Sequence, residues 1–405
     1  MSTSLLTPSI IAMEGLFQLE NNTVMAGNVY TEYRKEFVKI GDTVTIRKPV
    51  KFASTSGATL QRQDVQEGST SIVISTRKHV GWAFVSQDLT LTIDKYSERY
   101  IKPAGIRLAN DVDTSLTGLY SSLWMSAGTP GTTPNAFSTL GDMATVLDNG
   151  AVPDDGDRKL VLNPAARWSM ADALKGIYDN SMPRDMVRKG LLGQLANFEI
   201  YGDQNVARHT TGTRTGDTAV LVNGNNQHSN TTPTANSQAA FSFKGFTADS
   251  GSVKAGDVFT IASVYAVNPV SKVSTGQLQR FVIVSDSTTP SSGIATATIS
   301  PAIVTTGAYQ NVDSAPVDGA AVTFMGAAST VYPQNLAFHK NALALVTVPL
   351  ILPDGATFKA RVQNGGISIR VVKDYSIIDD EDIIRLDIMY GVKAIYPDLG
   401  GRLWG

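Results

Sequence analysis

Cysteine is absent from this chain of 405 residues, which excludes disulfides, thiolate metal sites and cysteine nucleophiles. A chain without disulfides suits a reducing cytosol. Histidine is nearly as scarce: His79, His209, His228 and His339 are the only four. None stands at metal-ligand spacing from another, and there is no His-Glu-x-x-His run. Each reads first as a packed or solvent-facing imidazole. There is no Gly-x-Ser-x-Gly elbow and no Gly-Lys-Ser/Thr phosphate loop, so catalysis finds no specific motif. Charge is thin, at 17% of residues with a net −2, too near neutral for a surface that holds nucleic acid throughout. No apolar run approaches the ~18 residues of a membrane span. The N-terminus lacks the basic, then apolar, layout of a signal peptide.

What is present is periodicity. Ile10, Ile11, Met13, Leu16, Phe17 and Leu19 give a broad apolar helix face, with Pro8 fit for the first helical position and Asn21–Asn22 as an end. In "TVTIRKPVKF" and "STSIVISTRKHVGWAF" the residues Val44, Ile46, Val50, Phe52 and Ile72, Ile74, Val80, Trp82, Phe84 alternate with polar ones. Period two predicts two strands of one long hairpin over 43–84, with a polar tip. Such a hairpin is marginal alone, so its apolar face requires a cover from outside it. Ile106, Leu108, Val112, Leu116, Leu119 and Leu123 predict a long helix, with Pro103 in its first turn. "RKLVLNPAARWSMADALKGI" reads as a strand, Asn163 as N-cap, Pro164 as first helical residue, and a helix.

Composition shifts near Arg214. From there to Thr330 the chain has eleven charged residues in 117, none of them Glu. Strands and turns alternate, predicting an all-β insert, a small barrel or sandwich. After residue 331 mixed structure resumes. The predicted class is α+β interrupted by a β domain.

Asp379, Asp380, Glu381 and Asp382 form the densest charge run, between isoleucine pairs. Consecutive strand residues point to opposite faces, and calcium loops space their acids differently. An exposed turn between two strands is the first reading. A salt-bridge partner for another chain is the second and a metal site the third. Arg34, Lys35 and Lys39 make a modest basic cluster: a solvated helix end, or a contact with nucleic acid.

The order of these stretches resembles the major capsid proteins of tailed phages, closest to short-tailed-phage coat proteins that carry an inserted β-barrel domain. "VSQDLTLTIDKYSERYIKPAGIRLANDVDTSL" is similar to the entry to the spine helix. "GLLGQLANFEIYGDQNVARHTTGT" is similar to the run into the insert, and "ISIRVVKDYSIIDDEDIIRLDIMYGVKAIYPDLGG" to the return. The resemblance spans nearly the whole chain and rests on order, not on one motif. It implies the HK-ninety-seven-type capsid fold: N-terminal arm (1–42), extended loop (43–84), P domain with spine helix (85–132), A domain (133–213), inserted β domain (214–330), A-domain return (331–350) and P-domain strands to the C-terminus (351–405). It further implies hexamers and pentamers in an icosahedral shell around double-stranded DNA. Scaffolding and portal proteins are implied partners, and assembly in a bacterial cytoplasm is implied. No enzyme, cofactor, metal or membrane is expected. With Met1 present, a separate scaffold is expected in place of cleavage of the arm. Lys48, Lys51 and Lys78 have no evident isopeptide acceptor, so no crosslink is assigned.

On that reading the loop lies over a neighbouring subunit, and heterologous contacts of this kind close into rings. The expected assembly contacts are Arg47, Lys48, Lys51, Arg62, Asp64, Glu67, Arg77, Asp380 and Asp382; Arg34, Lys35 and Lys39 are expected to face DNA. Two other classes remain in view. One is a tail or adhesin protein with a carbohydrate-reading β domain. The other is a hydrolase in which His209 or His339 meets a nucleophile and a carboxylate.

Overall fold

A computed structural model of the chain describes residues 8–33, 43–52, 54, 56–60, 62, 67–85, 97–174, 192–214, 220–225, 227, 237–356, 358–364, 367–378 and 381–405. It forms two compact units. One comprises Met1–Thr45, Ser71–Thr117 and Leu343–Lys393; the other comprises Ile46–Thr70, Gly118–Ala342 and Ala394–Gly405.

In the first unit, a helix runs Pro8–Asn22 and a longer one Lys102–Thr117. Ile11, Leu16 and Leu19 bury one side of the first helix; Ala104, Leu108, Val112 and Leu116 bury one side of the second. The two cross closely because glycines face each other: a Cβ on Gly105 would lie 3.0 Å from Gln18 Cβ and 3.2 Å from the Gly15 carbonyl. Both helices pack on a sheet ordered Leu343–Thr347, Glu381–Ala394, Ile367–Ser376, Phe358–Asn364. Alternate residues Ile367, Ile369, Val371 and Ile384, Leu386, Ile388, Tyr390 are buried, the period-two face that a half-covered sheet requires.

The 43–84 segment departs from its predicted pairing. Thr43–Arg47 and Ser69–Val73 pair as a two-stranded ribbon. The rest of the return strand, Thr76–Val85, leaves the ribbon and pairs antiparallel with the Glu381–Ala394 strand, from Thr76↔Tyr390 to Val85↔Glu381. Alternation specifies a face but not a partner. Pro49 has no N–H to donate and stops the first arm, whereas the C-terminal strand offers a ten-residue ladder. Ile46, Ile72 and Ile74 at the ribbon root are buried within the chain itself. The cover expected from a neighbour is therefore already supplied for that part.

The second unit has a mixed sheet ordered Met125–Ala127, Gly400–Leu403, Asn335–His339, Arg158–Leu162, Phe198–Gly202, Gln194–Leu195. Helices Phe137–Asn149 and Pro164–Leu174 cover it through Leu140, Met143, Leu147, Ala166 and Met170. Asn163 Oδ1 accepts the Ala166 N–H at 2.9 Å, the N-cap bond that satisfies a free helix donor.

The chain leaves this sheet along Arg208–Thr210 and returns along Val331–Pro333. The two strands pair, with Tyr332 opposite His209. Between them lies an all-β domain of six strands, ordered Val322–Phe324, Val258–Val267, Ser274–Ile283, Ala295–Ser300, Ala239–Lys244, Leu221–Val222. Its edges are joined by Val222 N–H to Ala320 O (2.9 Å) and Val322 N–H to Val220 O (2.8 Å), so the sheet curls round on itself. Phe241, Phe243, Phe259 and Phe281 fill the inside, with the Phe243 and Phe259 rings edge to face at 5.2 Å. The whole is α+β with an inserted β domain.

Candidate assembly surface

Beyond its root the ribbon carries apolar side chains into solvent. Phe52 is 65% exposed and Leu60 83%. Arg47 Nη1 and Glu67 Oε2 meet at 3.1 Å across the ribbon; both are exposed, so the pair contributes little. Arg62 is exposed. The Lys51 N–H donates to Tyr309 Oη at 3.3 Å. Lys48, expected as a surface contact, is buried within its own chain, and the Lys48 N–H to Gly68 O bond (2.7 Å) extends the pairing by one step. Asp64, Asp380, Arg34, Lys35 and Lys39 lie outside the described residues.

The acidic run divides. Ile367–Ser376 and Glu381–Ala394 form a hairpin closed by Ser376↔Glu381, so Glu381 and Asp382 begin a strand. Ile377 and Ile378 sit on its turn at 86% and 95% exposure. Asp382 Oδ2 takes Lys373 Nζ at 3.1 Å across the same hairpin, so this carboxylate has a partner in its own chain.

Arg77 also has an internal partner, and it belongs to a cluster that sequence reasoning missed. Asp387 is fully buried on the long strand. Its Oδ2 receives Arg370 Nη2 at 2.5 Å and Nε at 3.2 Å; its Oδ1 receives Arg385 Nε at 2.8 Å and Arg77 Nη2 at 3.4 Å. Burial pushes this carboxyl up, but the Arg370 and Arg385 hydrogen bonds outweigh it and hold it below the usual carboxylate value. Three strands thus share one buried anion. The signal was present as a lone Asp interrupting "IIRLDIMYGV".

Asp113 is the second missed residue. It occupies a position of the long helix's apolar stripe, is fully buried, and accepts the N–H groups of Val24 (2.8 Å) and Met25 (3.1 Å). It fixes the turn that follows the first helix.

The histidines bear on the hydrolase alternative. His209 does stand between a hydroxyl and a carboxylate: Nδ1 is 3.1 Å from Tyr120 Oη and Nε2 2.9 Å from Asp257 Oδ1. Asp257 Oδ2 accepts the N–H groups of Gly212 and Lys254 at 3.1 and 3.0 Å. Arg402 lies over the Tyr120 ring and donates to Gly256 O at 2.6 Å; burial pulls its guanidinium down to about 10. This buried network locks the root of the insert. Gly256 has φ +101°, and a Cβ there would meet His209 and Tyr120 at 3.1 Å; His209 and Asp257 are both buried, so the network is closed to solvent.

His339 Nε2 lies 3.1 Å from both Asp155 oxygens, and its Nδ1 accepts the Asn341 N–H at 3.3 Å. With Asp157 this makes the trio whose ligand atoms lie within 4.8 Å of one another. Both imidazole nitrogens are occupied, and the group reads as a hydrogen-bonded loop anchor.

A family model described as "P22 coat protein - gene protein 5" matches residues 1–405. The chain is 22% identical over 385 residues to the major capsid protein of Acyrthosiphon pisum secondary endosymbiont phage 1, covering 90% of this chain and 89% of that protein. A solved structure from Mycobacterium phage Che8 aligns with TM-score 0.46 and 14% identity over 94% of this chain and 90% of its own. The CUS-3 coat protein I-domain aligns at 30% identity and TM-score 0.20 over 27% of this chain and 97% of its own.

Proposed function

The chain belongs to the P22 coat protein family, and from that premise we propose that its copies gather into hexamers and pentamers held in part by the ribbon tip. It is a phage major capsid protein, structural rather than enzymatic, and it forms an icosahedral shell. The observation that carries the finer reading is the contrast along the ribbon. The root isoleucines are buried at home, while Phe52 and Leu60 are exposed at the far end. Each such side chain gains about 2 kcal/mol on burial, so a neighbouring copy is the natural cover for the tip.

Arg62, Lys51, Asp64 and the Arg47–Glu67 pair would then rim that contact, where charge sets register more than strength. Asp380 and the exposed Ile377–Ile378 turn would form a second contact. Arg34, Lys35 and Lys39 would face packaged double-stranded DNA as a sequence-independent patch. A scaffolding protein, a portal and assembly in the bacterial cytoplasm complete the proposal; the support for them is family membership. Co-expression with the scaffolding protein of the same phage, followed by electron microscopy, tests it. Closed shells of uniform size are expected; tubes, or protein that stays unassembled, would overturn it.

A further inference from the structure

Among the described residues, buried guanidinium groups find at least one acceptor. Arg158 donates to Asp148, Val152 O and Pro153 O, and Arg370 to Asp387 and Ile351 O. Arg280, on the Ser274–Ile283 strand opposite Thr260, is only partly exposed. Among the described residues its side chain makes no hydrogen bond or ion pair. Burial lowers the affinity of Arg280 for its proton, and the acid that shares a cavity wall with it on its other side, Asp142, makes no ion pair with it among the described residues. A desolvated cation without a partner is costly, so an anion that fits beside it is strongly favoured.

The space beside it exists. Arg280 lines a cavity of about 120 Å³ together with Lys51, Gln277, Gln279, Asn311 and Trp124. Lys51 brings a second cationic side chain to the wall of the same cavity; the Gln279 and Asn311 amides on that wall already donate to the Arg280 and Ala302 carbonyls at 2.9 and 2.7 Å. Lys272 is close enough that Lys51 disfavours its charge, after burial, and it is held by Ala308 O at 2.6 Å. The single acid on the wall is Asp398. The volume holds several waters, hence a tetrahedral anion of five heavy atoms. The planar fork of Arg suits an oxyanion bound at two points.

We propose that this cavity is a binding site for a compact oxyanion of the phosphate type, held by Arg280 and Lys51. The site goes beyond shell building and does not depend on it. Because Lys51 belongs to the ribbon and its N–H already meets Tyr309 of the insert, the anion tethers the ribbon to the β domain.

Inorganic phosphate is the probe, added to the purified full-length monomer against sodium chloride of equal ionic strength. At tenfold excess over its dissociation constant it should raise the folded-to-unfolded ratio about elevenfold, and it should perturb the fluorescence of Trp124. Arg280→Met and Lys51→Met should abolish both responses. Arg280→Met should also be more stable than the parent without phosphate, and lose that advantage at saturating phosphate; this crossover requires a folded variant and so checks itself. Acetate at the same ionic strength separates a carboxylate site, giving an equal response, from a phosphate site, giving a weaker one. No phosphate-specific response in the parent, an undiminished response in both variants, or an acetate response equal to that of phosphate would overturn the proposal.

Discussion

Arg370 and Asp387 sit directly opposite each other on adjacent antiparallel strands, Nη2 to Oδ2 at 2.5 Å, with the carboxylate sealed from solvent. Arg385 and Arg77 close on the same carboxylate. Removing the charge leaves three cations around a neutral group, two of them at least 40% exposed and able to rehydrate. Asp387→Asn should therefore cost about 3 kcal/mol, read as a lower urea midpoint at unchanged slope.

The same carboxylate sets an acid limit. Asp387 and Asp257 both have burial pushing them up and hydrogen bonds holding them below their usual value of 3.8. A depressed folded value gives stability that is complete above about pH 4 and lost as pH falls through the lower folded value. The urea midpoint should thus fall steeply below pH 4, and Asp387→Asn should flatten that fall. A midpoint that rises on acidification would contradict the assignment.

Asp113→Ala strands the buried Met25 N–H and the half-buried Val24 N–H. A loss of about 2–3 kcal/mol follows, with hydrogen exchange accelerated at Val24 and Met25 ahead of the Ile367–Ser376 strand. Uniform acceleration would show that Asp113 acts on the unit as a whole.

Gly391 lets the chain pass from ribbon to sheet. A Cβ there would lie 2.5 Å from the Val73 carbonyl oxygen. Gly391→Val should cost about 1–3 kcal/mol by overpacking, measurable as a lower melting temperature.

Much of this architecture was legible in the sequence, for identifiable reasons. The first helix, the long helix and the Asn163 cap follow from apolar spacing and local hydrogen-bond chemistry, both short-range. The alternation at 72–84 located its strands but not their partner. Residues 76–85 join a strand some 300 residues away, and nothing within forty residues of them encodes that choice. Charged residues at apolar positions, Asp113 and Asp387, were visible as irregularities. Their partners, Val24 and Met25 or Arg370 and Arg77, become neighbours only on folding. That Lys48 is buried, and that Arg77 and Asp382 meet partners within their own chain, are tertiary facts which the residues around them do not encode.

Phe52→Ser with Leu60→Ser removes only exposed apolar surface. Monomer stability should change by no more than about 0.5 kcal/mol, while shell yield collapses. Loss of both would mean the ribbon tip contributes to the monomer fold.

A side-chain-resolution electron cryomicroscopy reconstruction of shells grown from this chain is the most direct measurement. It should show Phe52 and Leu60 covered by an adjacent subunit, while Thr76–Val85 keeps its ladder with Glu381–Tyr390 of its own chain. Shells in which both tip residues face solvent, or in which that ladder is exchanged between subunits, would contradict it.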